Sequence, residues 1–517
     1  MKIKAIAVVV AFVSTVGHLS AEAGSSHDRQ NQSRNSNNVP ATPRSQGYVK
    51  HVSGEHQVSL QDHGSVALKT RLDMIDRAQK SISIESYIFK TDQSGCMILS
   101  ALVKKARAMK GKNFPIRLML DRQIFGPNVD AFFVHEMAKE GIEISYYNYA
   151  PLIDFAKINH RNHKKTFTID GGTPNGETIV GGRNIGDDYF DIDDKDNFLD
   201  VDVHVQGPAV DVVQDIFDKY WRAPQVTPGF DRPDKPSLAP VRMNPRGGGV
   251  DVSARNTSRR QRADWDKSVA EVRECLADSQ DKAALRKAVE RKADGVPKNS
   301  TKVNNVLVAS DHPDWKQKDQ TLGKEIIKKI EGAKKSVTIE NPYLVLIDKP
   351  KELVEKKLRD GVKVDVIVNS RLRNPEFGMM SIALYNAKHI AGKGGGAYLY
   401  KSEDQRYRVP GVKYEDNANW GSHAKAMLVD GKTSYVGSGN FDPRSLDRIN
   451  AEIGFFFPDN PEFAKTLEAS MKNRMANSTK IDRDGRDSSG VKVETPNYLN
   501  IMQFFKIGAL NSFKDQL

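Results

Sequence analysis

Two cysteines in 517 residues are too few for a disulfide framework, and the chain lacks the ligand clusters of a structural zinc site. Long apolar runs are missing beyond the extreme N-terminus, which excludes an integral protein with several membrane spans. Acidic residues are in deficit: 66 Asp and Glu face 78 Lys and Arg, leaving a net charge of +12. That balance favours an anionic partner, either a phospholipid surface or nucleic acid. With 38% hydrophobic and 28% charged residues the chain is neither wholly disordered nor collagen-like. Its length suits roughly three domains of ~150 residues.

The N-terminal apolar run, Ala5 to Val16, follows Lys2 and Lys4 and precedes Ala21-Glu22-Ala23, a small-x-small cleavage pattern. Its 12 residues fall short of the ~20 that span a bilayer, and no cysteine follows for lipid attachment. Residues 1–23 are therefore expected to be a cleaved signal peptide. The mature protein is expected to be exported, either periplasmic or secreted, with peripheral membrane contact. In such a compartment Cys96 and Cys275 could pair, which their spacing leaves open.

Beyond a polar linker at 24–55, the chain reads as two similar halves, 56–225 and 304–475. The helical pattern RLDMIDRAQKS runs into the strand-like SISIESYIF, and KEIIKKIEGAKKS runs into VTIENPYLV. Glu85 thus matches Glu340. Each half continues with a second amphipathic helix and an apolar strand, PIRLMLDR or KVDVIVNS, which argues an α/β layered sheet. Between the halves, 226–303 reads as a basic, Pro- and Gly-rich connector with a charged helix near Asp264 to Lys292, either solvated or a basic flap facing the substrate. After them, the 476–517 tail carries an amphipathic stretch from Asn497 to Leu510. That stretch suits either contact with lipid headgroups or packing back on the second half. The aromatics of ISYYNYAP and IGDDYFDIDD read as core or cleft wall.

The repeated chemistry is His-x-Lys-x-x-x-x-Asp, at His163, Lys165 and Asp170 and again at His423, Lys425 and Asp430. Period two on a strand sets imidazole and ammonium side by side. Small residues and an amide follow each copy, Gly181-Gly182-Arg183-Asn184 and Gly437-Ser438-Gly439-Asn440, suited to close approach by a phosphate. Further on come Asp200 and Glu452, each able to hydrogen-bond a histidine and set its tautomer. Asp170 and Asp430 complete the motif and count with its catalytic set, although their odd offset from the histidine assigns them to holding the local structure. Glu85 and Glu340 count as supporting residues. Together Lys165, Lys425, Asn184 and Asn440 can stabilise a pentacoordinate phosphodiester transition state. One imidazole then attacks phosphorus while the other protonates the leaving alcohol. Adjacent lysines would repel a cation, so no metal and no cofactor are expected.

These stretches resemble the phospholipase D superfamily. INHRNHKKTFTID, TIVGGRNIGDDYF and GSGNFDPRSLDRINAEIGFFF are most similar to bacterial cardiolipin synthases of the C-type branch, over roughly 60 to 475. The resemblance implies two pseudo-twofold-related α/β domains sharing one central cleft. It further implies metal-independent phosphatidyl transfer through a phosphohistidine, with His163 as nucleophile and His423 as acid. The substrate class it implies is phospholipid, such as phosphatidylglycerol or phosphatidylethanolamine. The acceptor is either water or a lipid alcohol. A phosphodiesterase acting on DNA or RNA is the alternative reading. With both motifs in one chain, no oligomer is required.

Overall fold

The structure is a computed structural model that describes residues 47–121, 131–148, 160–229, 266–314, 320–370, 377–402, 405–448 and 450–493. The first half holds β1 (Tyr48–Gln61), β2 (Ile82–Ser86), β3 (Ile116–Asp121), β4 (Ile142–Tyr147), β5 (Thr166–Ile169), β6 (Glu177–Gly181), β7 (Asp196–Leu199), β8 (Asp202–Gln206) and β9 (Val226–Pro228). The second holds β10 (Thr301–Ser310), β11 (Ser336–Glu340), β12 (Lys363–Asn369), β13 (Gly396–Ser402), β14 (Asn419–Ser422), β15 (Ala426–Val429), β16 (Thr433–Gly437), β17 (Ile453–Phe457) and β18 (Ser478–Ile481).

Hydrogen-bonded neighbours repeat strand for strand. The first half runs β9-β4-β3-β2-β5-β6-β8-β1. The second runs β18-β13-β12-β11-β15-β16-β17-β10. In each, the three strands that follow helices are parallel and the rest antiparallel, so the motif strands β5 and β15 occupy the same place. β1 pairs antiparallel with β10, from Tyr48 opposite Ser310 to Val58 opposite Thr301, and the two arrays become one sheet.

Three apolar cores follow from this plan. Two are built mainly within one half each, on residues such as Ile82, Ile84 and Leu118, joined by Val409 of the second half, or Ile339, Val366 and Leu384. The third lies between them and draws on both: Val203, Phe217, Trp420, Phe455 and Leu467 meet there. The helices Ala209–Trp221 and Pro461–Ala476 contribute Val213, Ile216 and Phe217, and Phe463, Leu467 and Met471, to this shared core. Local capping starts the elements where the sequence allows it: Asp92 accepts from the Gly95 amide, and Asn460 accepts from the Phe463 amide.

Several expected boundaries differ. The linker read over 24–55 runs into β1 at Tyr48, whose first half stays largely exposed and therefore reads as polar. The connector is not simply solvated. Its residues 266–276 and the helix Gln280–Asp294 pack on the first half, burying Val272, Ala288 and Val289 in that core. Cys275 is bonded to Cys96, with Cα atoms 4.9 Å apart. At its ends the connector also supplies β9 and the start of β10. The expected tail begins with β18, paired to β13. The signal peptide at 1–23, most of the linker, the basic stretch at 230–265 and the segment from Asn497 to Leu510 lie outside the described residues.

Candidate active site

Each motif histidine is set in place by backbone from the other half. β7 pairs in parallel with β14, and just beyond that pair the His423 amide donates to the Leu199 carbonyl at 2.7 Å. The counterpart is a parallel bridge between Asn162 and Ala451, beyond which the His163 amide donates to the Ala451 carbonyl at 2.9 Å. The next residue in each supporting strand is an acid, so the acids arrive crossed. Glu452 lies 2.8 and 3.0 Å from Nδ1 of His163, and Asp200 lies 2.6 Å from Nδ1 of His423. A carboxylate at Nδ1 holds the proton there and leaves the Nε2 lone pair free.

The lysines close the arrangement. Lys165 Nζ donates to the His163 carbonyl at 2.6 Å, and Lys425 Nζ to the His423 carbonyl at 2.5 Å. Lys425 Nζ also lies 2.7 Å from Nδ1 and 3.2 Å from Nε2 of His423. Nδ1 cannot serve both Asp200 and the ammonium, so the tautomer that satisfies the carboxylate leaves Lys425 the Nε2 lone pair. Gly182 makes the close approach possible: a Cβ there would stand 2.3 Å from Asp200 Oδ1 and 2.8 Å from Lys425 Cδ.

Burial drives His163 down to about 4, helped by Lys165 and Lys425 and opposed by Glu452. It drives His423 down to about 3, with Lys425 adding and Asp200 opposing. Both rings are therefore neutral at pH 7. Lys165 falls to about 7 through burial and the neighbouring Lys425, against the pull of Glu452. Burial alone would raise the acids, but the cations beside them hold Glu452 and Asp200 below the ordinary carboxylate range. His423 feels Lys165, and His163 feels Lys425, so the two motifs share one electrostatic site.

The other expected residues divide. Asn184 is held by Tyr189 Oη at 2.8 Å and by the Ile88 amide at 3.2 Å. Asn440 is buried, and its Oδ1 has no partner among the described residues. Asp170 and Asp430 do not join the histidines, which corrects their place in the catalytic set. Both adopt positive φ, 52° and 53°. Their carboxylates accept the amides of Gln79, Lys80 and Ser81, and of Lys334, Lys335 and Ser336. Glu85 and Glu340 stand behind the motif segments. Glu85 accepts from Asn162 and Thr166, and Glu340 from Ser422.

Some neighbours escaped sequence reasoning. Ser438 and Ser445 donate to the two oxygens of Glu452 at 2.5 and 2.7 Å. In the sequence Ser438 reads only as a small polar residue near a phosphate. Tyr87 packs edge-on against His163 at 4.7 Å between ring centroids. Phe198 and Tyr343 flank His423 at 5.2 and 6.2 Å, beside Tyr189 at 5.3 Å, which the sequence already offers as core or cleft wall. The available signal was positional, since Tyr87 and Tyr343 follow Glu85 and Glu340 by two and three residues.

The family described as "Cardiolipin synthase, PLD-like domain" matches residues 72–221 and 326–475. Cardiolipin synthase C of Escherichia coli is 28% identical over 417 residues, covering 75% of this chain and 78% of that protein. An uncharacterized protein of Helicobacter pylori is 27% identical over 442 residues, 81% of this chain and 79% of its own length. Among solved structures, phosphatidylserine synthase of Haemophilus influenzae aligns with a TM-score of 0.58 at 13% identity, over 89% of this chain and 95% of that one, a likeness of fold. These findings overturn the expected export to the periplasm or medium. The relatives that overturn it are named cardiolipin synthases, and residues 1–23, on which the expectation rested, lie outside the described residues. None of the described helices is long and apolar enough to cross a membrane.

Proposed function

The chain belongs to the cardiolipin synthase, PLD-like domain family, and on that premise we propose that it transfers a phosphatidyl group from one phospholipid to the alcohol of another, at a site shared by its two halves. The crossed His163–Glu452 and His423–Asp200 pairs carry this reading. They supply two imidazoles of fixed tautomer beside two ammonium groups in one chain, so a second copy is not needed.

In this reading the Nε2 lone pair of His163 attacks phosphorus and forms a P–N bond. The P–O bond to the leaving alcohol breaks, and the protonated His423 gives that oxygen its proton. The acceptor hydroxyl then returns a proton to His423 as its oxygen displaces His163 from phosphorus. His423, held down by burial and Lys425, gains its proton once phosphate charge offsets Lys425. Lys165, Lys425 and the Asn184 and Asn440 amides stabilise the equatorial oxygens. A lipid donor such as phosphatidylglycerol or phosphatidylethanolamine brings the protein to a membrane surface.

The test is metal-free incubation of the full chain with labelled phosphatidylglycerol and phosphatidylethanolamine vesicles, with His163→Ala and His423→Ala as blanks. Cardiolipin is the expected product. Phosphatidic acid instead would make water the acceptor. His-dependent cleavage of DNA or RNA with no lipid product would replace the reading by the alternative, which rests on the net charge of +12.

A further inference from the structure

Behind each motif segment lies a buried carboxylate, and each carries one cation from a different place. Asn162, Lys164 and Thr166 alternate with His163 and Lys165, so they turn to the opposite face. All three meet Glu85: Asn162 Nδ2 at 3.1 Å, Thr166 Oγ1 at 3.0 Å and Lys164 Nζ at 2.8 Å. The lysine contact is an ion pair without hydrogen-bond alignment, and its ammonium also sits 2.9 Å from the ring centre of Tyr220. In the second half the residue equivalent to Lys164 is Ala424. There Glu340 meets Ser422 Oγ and the guanidinium of Arg474, whose Nε is 2.8 Å away.

The register makes this an exchange. Glu85 pairs with Thr166 across β2 and β5, as Glu340 pairs with Ala426 across β11 and β15. Tyr220 and Arg474 both lie in the last turns of the helix packed in the shared core, Ala209–Trp221 or Pro461–Ala476. One half therefore places its cation on the strand and an aromatic on the helix, and the other places alanine on the strand and the cation on the helix. The side chains of both ion pairs are at most 1% exposed. Burial pulls Lys164 down to about 8 against Glu85, and pushes Glu340 up against Arg474.

We propose that Lys164 and Arg474 are equivalent positioning residues, each locking the carboxylate that grips the back of one motif segment and so holding the histidine on its front. The inference rests on the shared-site reading for its consequence on turnover, but not for its consequence on His163 itself. A carboxylate left alone in this environment must take a proton or draw in water, and either loosens its hold on Asn162 and Thr166.

The test uses the full chain as Lys164→Ala, Lys164→Ala/Tyr220→Arg and Glu85→Gln/Lys164→Ala. Three quantities are read: thermal midpoint, kcat and KM on phosphatidylglycerol vesicles, and NMR titration of the His163 imidazole. Lys164→Ala should lower kcat about a hundredfold, the scale of a small misplacement, with KM little changed and the His163 titration moved. The exchange variant, rebuilding the second half's arrangement in the first, should restore kcat to within about tenfold and return the titration. Glu85→Gln/Lys164→Ala should regain the thermal midpoint but not kcat. Recovery of kcat with the midpoint in that variant, or an exchange variant that folds with a displaced titration, would overturn the proposal. Should Lys164→Ala not fold, the exchange variant decides alone. Should the wild-type chain turn over no lipid, the titration still decides, and only the lipid reading falls.

Discussion

The two halves agree on the face that meets substrate and differ on the face behind it. Strand order, the motif, the glycine-amide turn and the crossed carboxylate recur in both. Behind them, Glu85 grips two polar side chains and a lysine of its motif segment, whereas Glu340 grips one serine and an arginine from a helix. Among the described residues one ring packs on His163, and three pack around His423. A duplicated frame keeps the reacting groups fixed while supporting contacts change, provided each buried charge keeps a partner.

Breaking the two histidines separately gives the largest expected effects. His163→Ala should stop transfer from every substrate, since it removes the proposed nucleophile. His423→Ala should slow natural lipids about 10²–10⁴-fold, the scale of a general acid, yet spare a substrate whose leaving group needs no proton. Equal losses on a p-nitrophenyl phosphodiester would erase the distinction between the halves. The crossed acids sharpen it next. Glu452→Gln and Asp200→Asn should each cost about 10²–10⁴-fold in kcat, because each leaves its histidine without a carboxylate to set the tautomer. A loss in only one variant would mean that one pair is structural.

A pH profile separates the lysines from the histidines. Lys165 works charged and sits near 7, so kcat/KM should fall as pH rises through about 7. In the proposed mechanism the neutral form of His163 attacks phosphorus, so an acid limb should lie near 4. Lys165→Arg should move the alkaline limb upward, and an unmoved limb would assign it to another group. The smallest effects are on stability alone. Asp170→Ala and Asp430→Ala each release three backbone amides, at about 1–3 kcal/mol. The buried Asp170 should cost more than the half-buried Asp430, read as the shift in chemical unfolding.

Much of this comparison was legible in the sequence because duplication makes spacing informative. The alternating helix and strand patterns carried the α/β frame, the motifs themselves the offset of Asp170 and Asp430 away from the chemistry, and the family resemblance the shared cleft. The crossing of the acids was not legible. Asp200 follows the first motif in the chain but serves the second histidine, since β7 leaves its own half to pair with β14. Nor was the packing of the connector, whose charged helices bury few apolar residues, Val272, Ala288, Val289, Ala293 and a cysteine among those described. The start of β1 was equally hidden, because a strand held along one edge by β10 needs few apolar residues where it stays exposed. The lysine of one half and the arginine of the other stand at different positions in the repeat, so no alignment of motifs links them.

The central claim, one site with unlike histidines, is tested most directly by trapping the covalent intermediate. The wild-type chain would be mixed with labelled phosphatidylglycerol vesicles, quenched at high pH within the first turnover, digested and mapped by mass spectrometry. A phosphatidyl group on His163, absent from His423 and absent altogether in His163→Ala, is the predicted result. A phosphatidyl group on His423, or transfer that proceeds with neither histidine modified, would contradict it.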